Sequence, residues 1–134
     1  MYLRDLNLKE KKNFLELAYF VANYNQKFAD EQKQLINEYR AEMFLSQDEY
    51  EIKGKEINEI LDFFKDDSTQ TKNAIFLEIM SLILSDDIYD EKEREVVAMI
   101  EDKFEITKEE HDEAVSILEG INDIYRRAEK FINT

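Results

Sequence analysis

The sequence predicts an all-α protein, a compact bundle of six to seven helices, on three observations. Proline is absent and glycine occurs twice, at Gly54 and Gly120, so the punctuation that bounds strands is missing. Apolar residues recur at steps of three and four along most of the chain. Asn7 with Glu10, Ser46 with Glu49, Asp90 with Glu93 and Thr107 with Glu110 have the spacing of capping boxes, the sequence signature of a helix start.

Composition bounds the rest. The 134 residues suit one domain, 1–134. Leu, Ile, Val and Phe supply 39 of them, too many for a disordered chain, so the net charge of −14 belongs to the surface of an apolar core. That field repels phosphate backbones and favours basic proteins or multivalent cations, so no nucleic-acid partner is expected. Cysteine is absent, which excludes disulfides, thiolate metal sites and cysteine nucleophiles. Met1 to Lys12 mixes charge with apolar residues and carries no leader-like run. Ala74 to Leu84, the longest apolar stretch, is too short to span a bilayer, so no integral membrane segment is expected and the location predicted is cytoplasmic.

The first helix starts at Leu8 behind the Asn7 cap. Phe14, Leu17, Ala18 and Val21 form its buried face, and Lys9, Lys12, Glu16 and Asn23 are placed opposite. A second helix runs from about Asp30 to Met43 with Leu35, Ile36, Tyr39 and Met43 inward. The box at Ser46 predicts a short helix disturbed near Gly54, and Ile57, Ile60, Leu61 and Phe64 mark the next. Thr69 to Ser85 leaves only Glu78, Ser81 and Ser85 as a polar stripe, the pattern of a central helix. Glu91 to Phe104 turns Val96, Val97, Ile100 and Phe104 inward. From Thr107 the last helix repeats Ala114, Leu118, Ile121, Tyr125, Ala128 and Ile132, flanked by Ile117, Ile124 and Phe131. This long face is expected to close the bundle or to pair with another copy, which leaves the oligomeric state open. Gly120 within it points to close helix approach.

A shift of 61 residues aligns two halves. Phe28 falls on Tyr89, and Leu35, Ile36, Tyr39, Met43 and Leu45 fall on Val96, Val97, Ile100, Phe104 and Ile106. The Ser46–Glu49 box falls on Thr107–Glu110. One further residue of offset puts Phe14-Leu15-Glu16-Leu17 on Phe76-Leu77-Glu78-Ile79. Two helical hairpins about a pseudo-twofold axis are the expected internal repeat.

The second copy contains Asp86-Asp87-Ile88-Tyr89-Asp90-Glu91-Lys92-Glu93 between two helices, ahead of the Thr107 start. This arrangement resembles the TerB-like tellurite-resistance domain over about residues 8–120. Asp87 stands where that family carries glycine, and the first copy has the neutral Asn25 and Gln32 at the family's acidic positions. The resemblance implies an all-helical cytoplasmic domain of stress and tellurite-resistance type, with acidic loops that bind divalent cations.

Two readings of Asp86, Asp87, Asp90 and Glu93 stand side by side. As a metal site they would offer clustered oxygens to Ca²⁺ or Mg²⁺. As a helix start, Asp90 is the N-cap, Glu93 completes the box, and Asp86 and Asp87 form a solvated turn. The loop is no EF-hand: a central glycine is missing and Val97 stands where the bidentate Glu would be. His111, the one histidine, aligns with Tyr50 and is read as a half-buried packing residue. Without a phosphate loop, nucleophile elbow or zinc pattern, no enzyme is expected. The leading function is a TerB-like protein–protein interaction module with a basic partner. A Ca²⁺ or Mg²⁺ sensor or buffer is the alternative.

Overall fold

A computed structural model describes residues 2–24, 30–84 and 90–134. A 3₁₀ turn, Leu3–Asp5, precedes six α-helices: α1 (Leu8–Asn23), α2 (Asp30–Met43), α3 (Ile57–Phe64), α4 (Thr69–Ile83), α5 (Glu91–Phe104) and α6 (Lys108–Ile132). Among the described residues there is no strand, and no helix is long and apolar enough to cross a membrane. The buried residues form one apolar cluster drawn from every helix.

Side chains close the helix starts as the sequence predicts. Asn7 and Glu10, Asp90 and Glu93, and Thr107 and Glu110 each exchange side-chain-to-backbone hydrogen bonds across the first turn. Ser68 caps α4 through the Thr71 N–H. The ends of α2 and α5 also close alike. Phe44 and Glu105, 61 positions apart, both take left-handed φ, at 53° and 57°. The following N–H groups, of Leu45 and Ile106, reach back to the carbonyls of Arg40 and Glu101.

Helix α1 packs against α2, α3 and α4, while α4 also meets α5 and α6. Enclosure on three sides makes α1 as central as α4. It also corrects the placement of Glu16, which is not on a solvent face but buried, at 1% exposure. Glu78 of the α4 polar stripe is buried too. The short helix expected after Ser46 is absent. The Ser46–Glu49 hydrogen bonds close one turn, and residues 50–56 then run to α3 without regular secondary structure. Phe28 and Tyr89, paired in the sequence alignment, lie outside the described residues.

Helix α6 departs most from expectation. Only Ala114 and Leu118 of its long apolar face are buried. Ile121 is half-covered, and Ile124, Tyr125, Phe131 and Ile132 stand exposed. Its main contact with the bundle is with α4, and its C-terminal half extends past that contact. Gly120 therefore serves no close approach: a Cβ built there meets nothing within 4 Å. Interior glycine costs a helix about 1 kcal/mol relative to alanine through backbone entropy. Gly120→Ala is expected to stabilise α6 by about that amount, checked as a rise in helicity and in the thermal midpoint by circular dichroism.

Candidate interaction site and the buried carboxylates

The carboxylates that enter the interior hold backbone. Glu16 Oε1 accepts from the N–H groups of Gly54 and Lys55, each at 3.0 Å. Its Oε2 accepts from Lys53 N–H at 2.8 Å and from the Tyr50 hydroxyl at 2.5 Å. Three successive N–H groups can converge on one carboxylate because Gly54 adopts φ 76°, a conformation strained for residues with a Cβ. Burial pushes the Glu16 pKa up, but these hydrogen bonds to the charged form outweigh it, and the net shift is down. The same contact raises the Tyr50 pKa, after burial itself.

Glu78 and Glu42 hold the N-terminal segment. Glu78 Oε1 accepts from Tyr2 N–H at 3.2 Å and Glu42 Oε2 from Leu3 N–H at 2.8 Å, which seats Leu3 fully buried. Tyr39 donates its hydroxyl to the Glu78 carbonyl at 3.1 Å, and burial raises its pKa. The Glu10 pKa is also raised, by burial first and then by the Asp67 carboxylate beside it.

Of the four residues read as cation ligands, Asp86 and Asp87 lie outside the described residues. Asp90 and Glu93 are brought together at the start of α5. Asp90 Oδ1 accepts from Glu93 N–H at 2.9 Å and Glu93 Oε1 from Asp90 N–H at 3.2 Å, with Glu93 only 2% exposed. Among the described residues no group of three or more His, Asp or Glu side chains is placed to hold a metal ion. His111 is half-buried, as expected: Nδ1 lies 2.6 Å from Glu101 Oε2 and the ring rests beside Phe76.

The surface offers clefts whose chemistry the sequence did not reveal. Between α4 and α6 a cleft of about 400 Å³ has a floor of Phe76, Leu77, Ile106 and Ala114. Glu109, Glu110 and Glu113, from the first turns of α6, and Ile117 line its sides. Glu110 was legible only as part of the Thr107 helix start; that Ile106 and Leu77 line the same cleft follows from how α6 lies on α4. No protein-family model, curated protein or solved structure matches this chain.

The Glu16 clamp has a defined pH signature. With a folded-state pKa below the ordinary 4.5, its stabilisation is complete above that value. It is lost as pH falls through the folded pKa. Glu16→Gln is expected to lower stability at neutral pH by about 3 kcal/mol, because hydrogen bonds to a charged acceptor are replaced by weaker ones and one buried donor is orphaned. Urea unfolding at stepped pH should show the two proteins converging below pH 4.5.

Proposed function

We propose that this chain is a non-enzymatic, TerB-like interaction module that takes a basic, amphipathic segment of a partner protein into the cleft between α4 and α6. The observation that carries the reading is the pairing of an apolar floor with carboxylate sides, on a chain of net charge −14. Apolar contact supplies affinity in such a cleft, and the glutamates select lysine or arginine at the edge and speed encounter. The buried carboxylates support a binding role over catalysis: Glu16, Glu78 and Glu93 each accept backbone N–H groups. The matched helix ends at Phe44 and Glu105 support the duplicated-hairpin reading and, with it, the TerB-like one. A cytoplasmic stress-type setting and the lack of a nucleic-acid partner follow from that likeness and from the charge.

A fluorescent synthetic helix with a leucine face and a lysine face tests this by anisotropy. It should bind, its glutamate-faced counterpart should not, and Glu109→Lys/Glu113→Lys should weaken binding about tenfold or more. Equal binding of both peptides, or indifference to the double substitution, would sink the proposal.

The Ca²⁺ or Mg²⁺ reading ranks second, because Asp90 and Glu93 serve the helix cap. Asp90→Ala is expected to cost about 1 kcal/mol in metal-free buffer, as loss of an N-cap does. Millimolar Ca²⁺ or Mg²⁺ should then stabilise the parent no more than salt of matched ionic strength. A rise in the thermal midpoint specific to the divalent ion, and lost in Asp86→Asn/Glu93→Gln, would move the cation reading to first place.

A further inference from the structure

The exposed half of α6 and the groove at its base are complementary. Positions 114, 118, 121, 125, 128 and 132 alternate steps of four and three, the heptad spacing of helices that pack along one another. Ile117, Ile124 and Phe131 add a third apolar position to each heptad. A face that wide suits a helix with neighbours on two sides rather than a simple two-stranded seam. In its first turns the face rests on α4; beyond them Ile124, Tyr125, Phe131 and Ile132 are 62%, 70%, 83% and 76% exposed.

Charge singles out the occupant. Residues 119–134 balance Arg126, Arg127 and Lys130 against Glu119, Asp123 and Glu129. The entire net charge of −14 therefore resides on the preceding chain, and this neutral segment is where two copies approach with least repulsion. A groove of about 580 Å³ runs alongside, between α2, α4 and α6. Leu35, Tyr39 and Leu84 form one wall, Leu118, Ile121 and Tyr125 the other, and Glu38 and Glu42 also line it. An incoming segment with an apolar stripe and no net charge meets less repulsion in that acidic lining than the rest of the chain would.

We propose that a second copy of this chain is the occupant. Each protomer lays the exposed half of α6 in the groove of the other, a two-fold exchange that covers both stripes and both grooves with one interface. The stripe offers on the order of 600 Å² of apolar surface per copy, so two copies bury about 1,200 Å², which reaches the range of specific interfaces. The two proposals use different clefts, one lined by Glu109 and Glu113 and the other by Glu38 and Glu42, so Glu109→Lys/Glu113→Lys and Glu38→Arg test them separately.

Sedimentation velocity from low to high micromolar protein tests it. The parent chain should shift from monomer to dimer with concentration. Ile124→Glu/Phe131→Glu should raise the dissociation constant about a hundredfold while leaving the circular dichroism spectrum folded, because both side chains are exposed. Glu38→Arg, on the groove wall, should weaken the dimer about tenfold and leave binding of the lysine-faced peptide unchanged. A chain that stays monomeric at every concentration overturns the proposal. So does a dimer indifferent to the α6 substitutions. A dimer indifferent to Glu38→Arg overturns the groove as the seat.

Discussion

The interaction on which the rest of the structure depends is the burial of Glu16. Helix α1 is enclosed by α2, α3 and α4, and a carboxylate at its centre has no route to water. An unpaired buried charge is costly enough to unfold a domain of ordinary stability. Here Tyr50 and three consecutive N–H groups solvate it. That requirement fixes the path of residues 50–56, which carry no regular secondary structure of their own. It thereby fixes where α3 starts and which side of α1 it covers. Glu78 and Glu42 apply the same chemistry at the other irregular segment, the N-terminal turn, with Leu3 as its apolar anchor.

This use of carboxylates bears on how a chain of net charge −14 folds at all. Some acidic side chains are not spread over the surface. Glu10, Glu93 and Glu110 reach back to the N–H of their own helix caps, at the positive ends of helix dipoles. Glu16, Glu42 and Glu78 hold loops. Each of these anions accepts at least one backbone N–H. The remaining acids give the molecule its negative field. Helix α6 bridges the two regimes. Its first turns are acidic and lie on the bundle, and its last turns are neutral and reach beyond it.

Much of the fold was legible in the sequence, and the reason is range. A capping box is decided within four residues, so the boxes at Asn7, Asp90 and Thr107 read correctly. An apolar face at steps of three and four is decided within one helix, so α1, α2, α4 and α5 fell close to their true limits. The failures have the opposite character. The Ser46 box was real, but the helix it announced was not, because the chain beyond it is drawn onto Glu16. The candidate cleft was illegible because it joins Phe76 and Leu77 of α4 to residues 106–117, remote from them in the chain.

By itself, then, the sequence determined the helix class, the helix starts, the inward faces of five helices and the sign of the surface field. Neighbours a few residues apart decide each of these. Only the tertiary structure decided that Glu16 is buried, that Gly120 faces open space, and that the α6 face leaves the bundle after Leu118. A helical period states which residues share a face. It does not state whether anything lies against that face, because that depends on elements remote in the chain, and the heptad of α6 reads identically over its covered and its uncovered half.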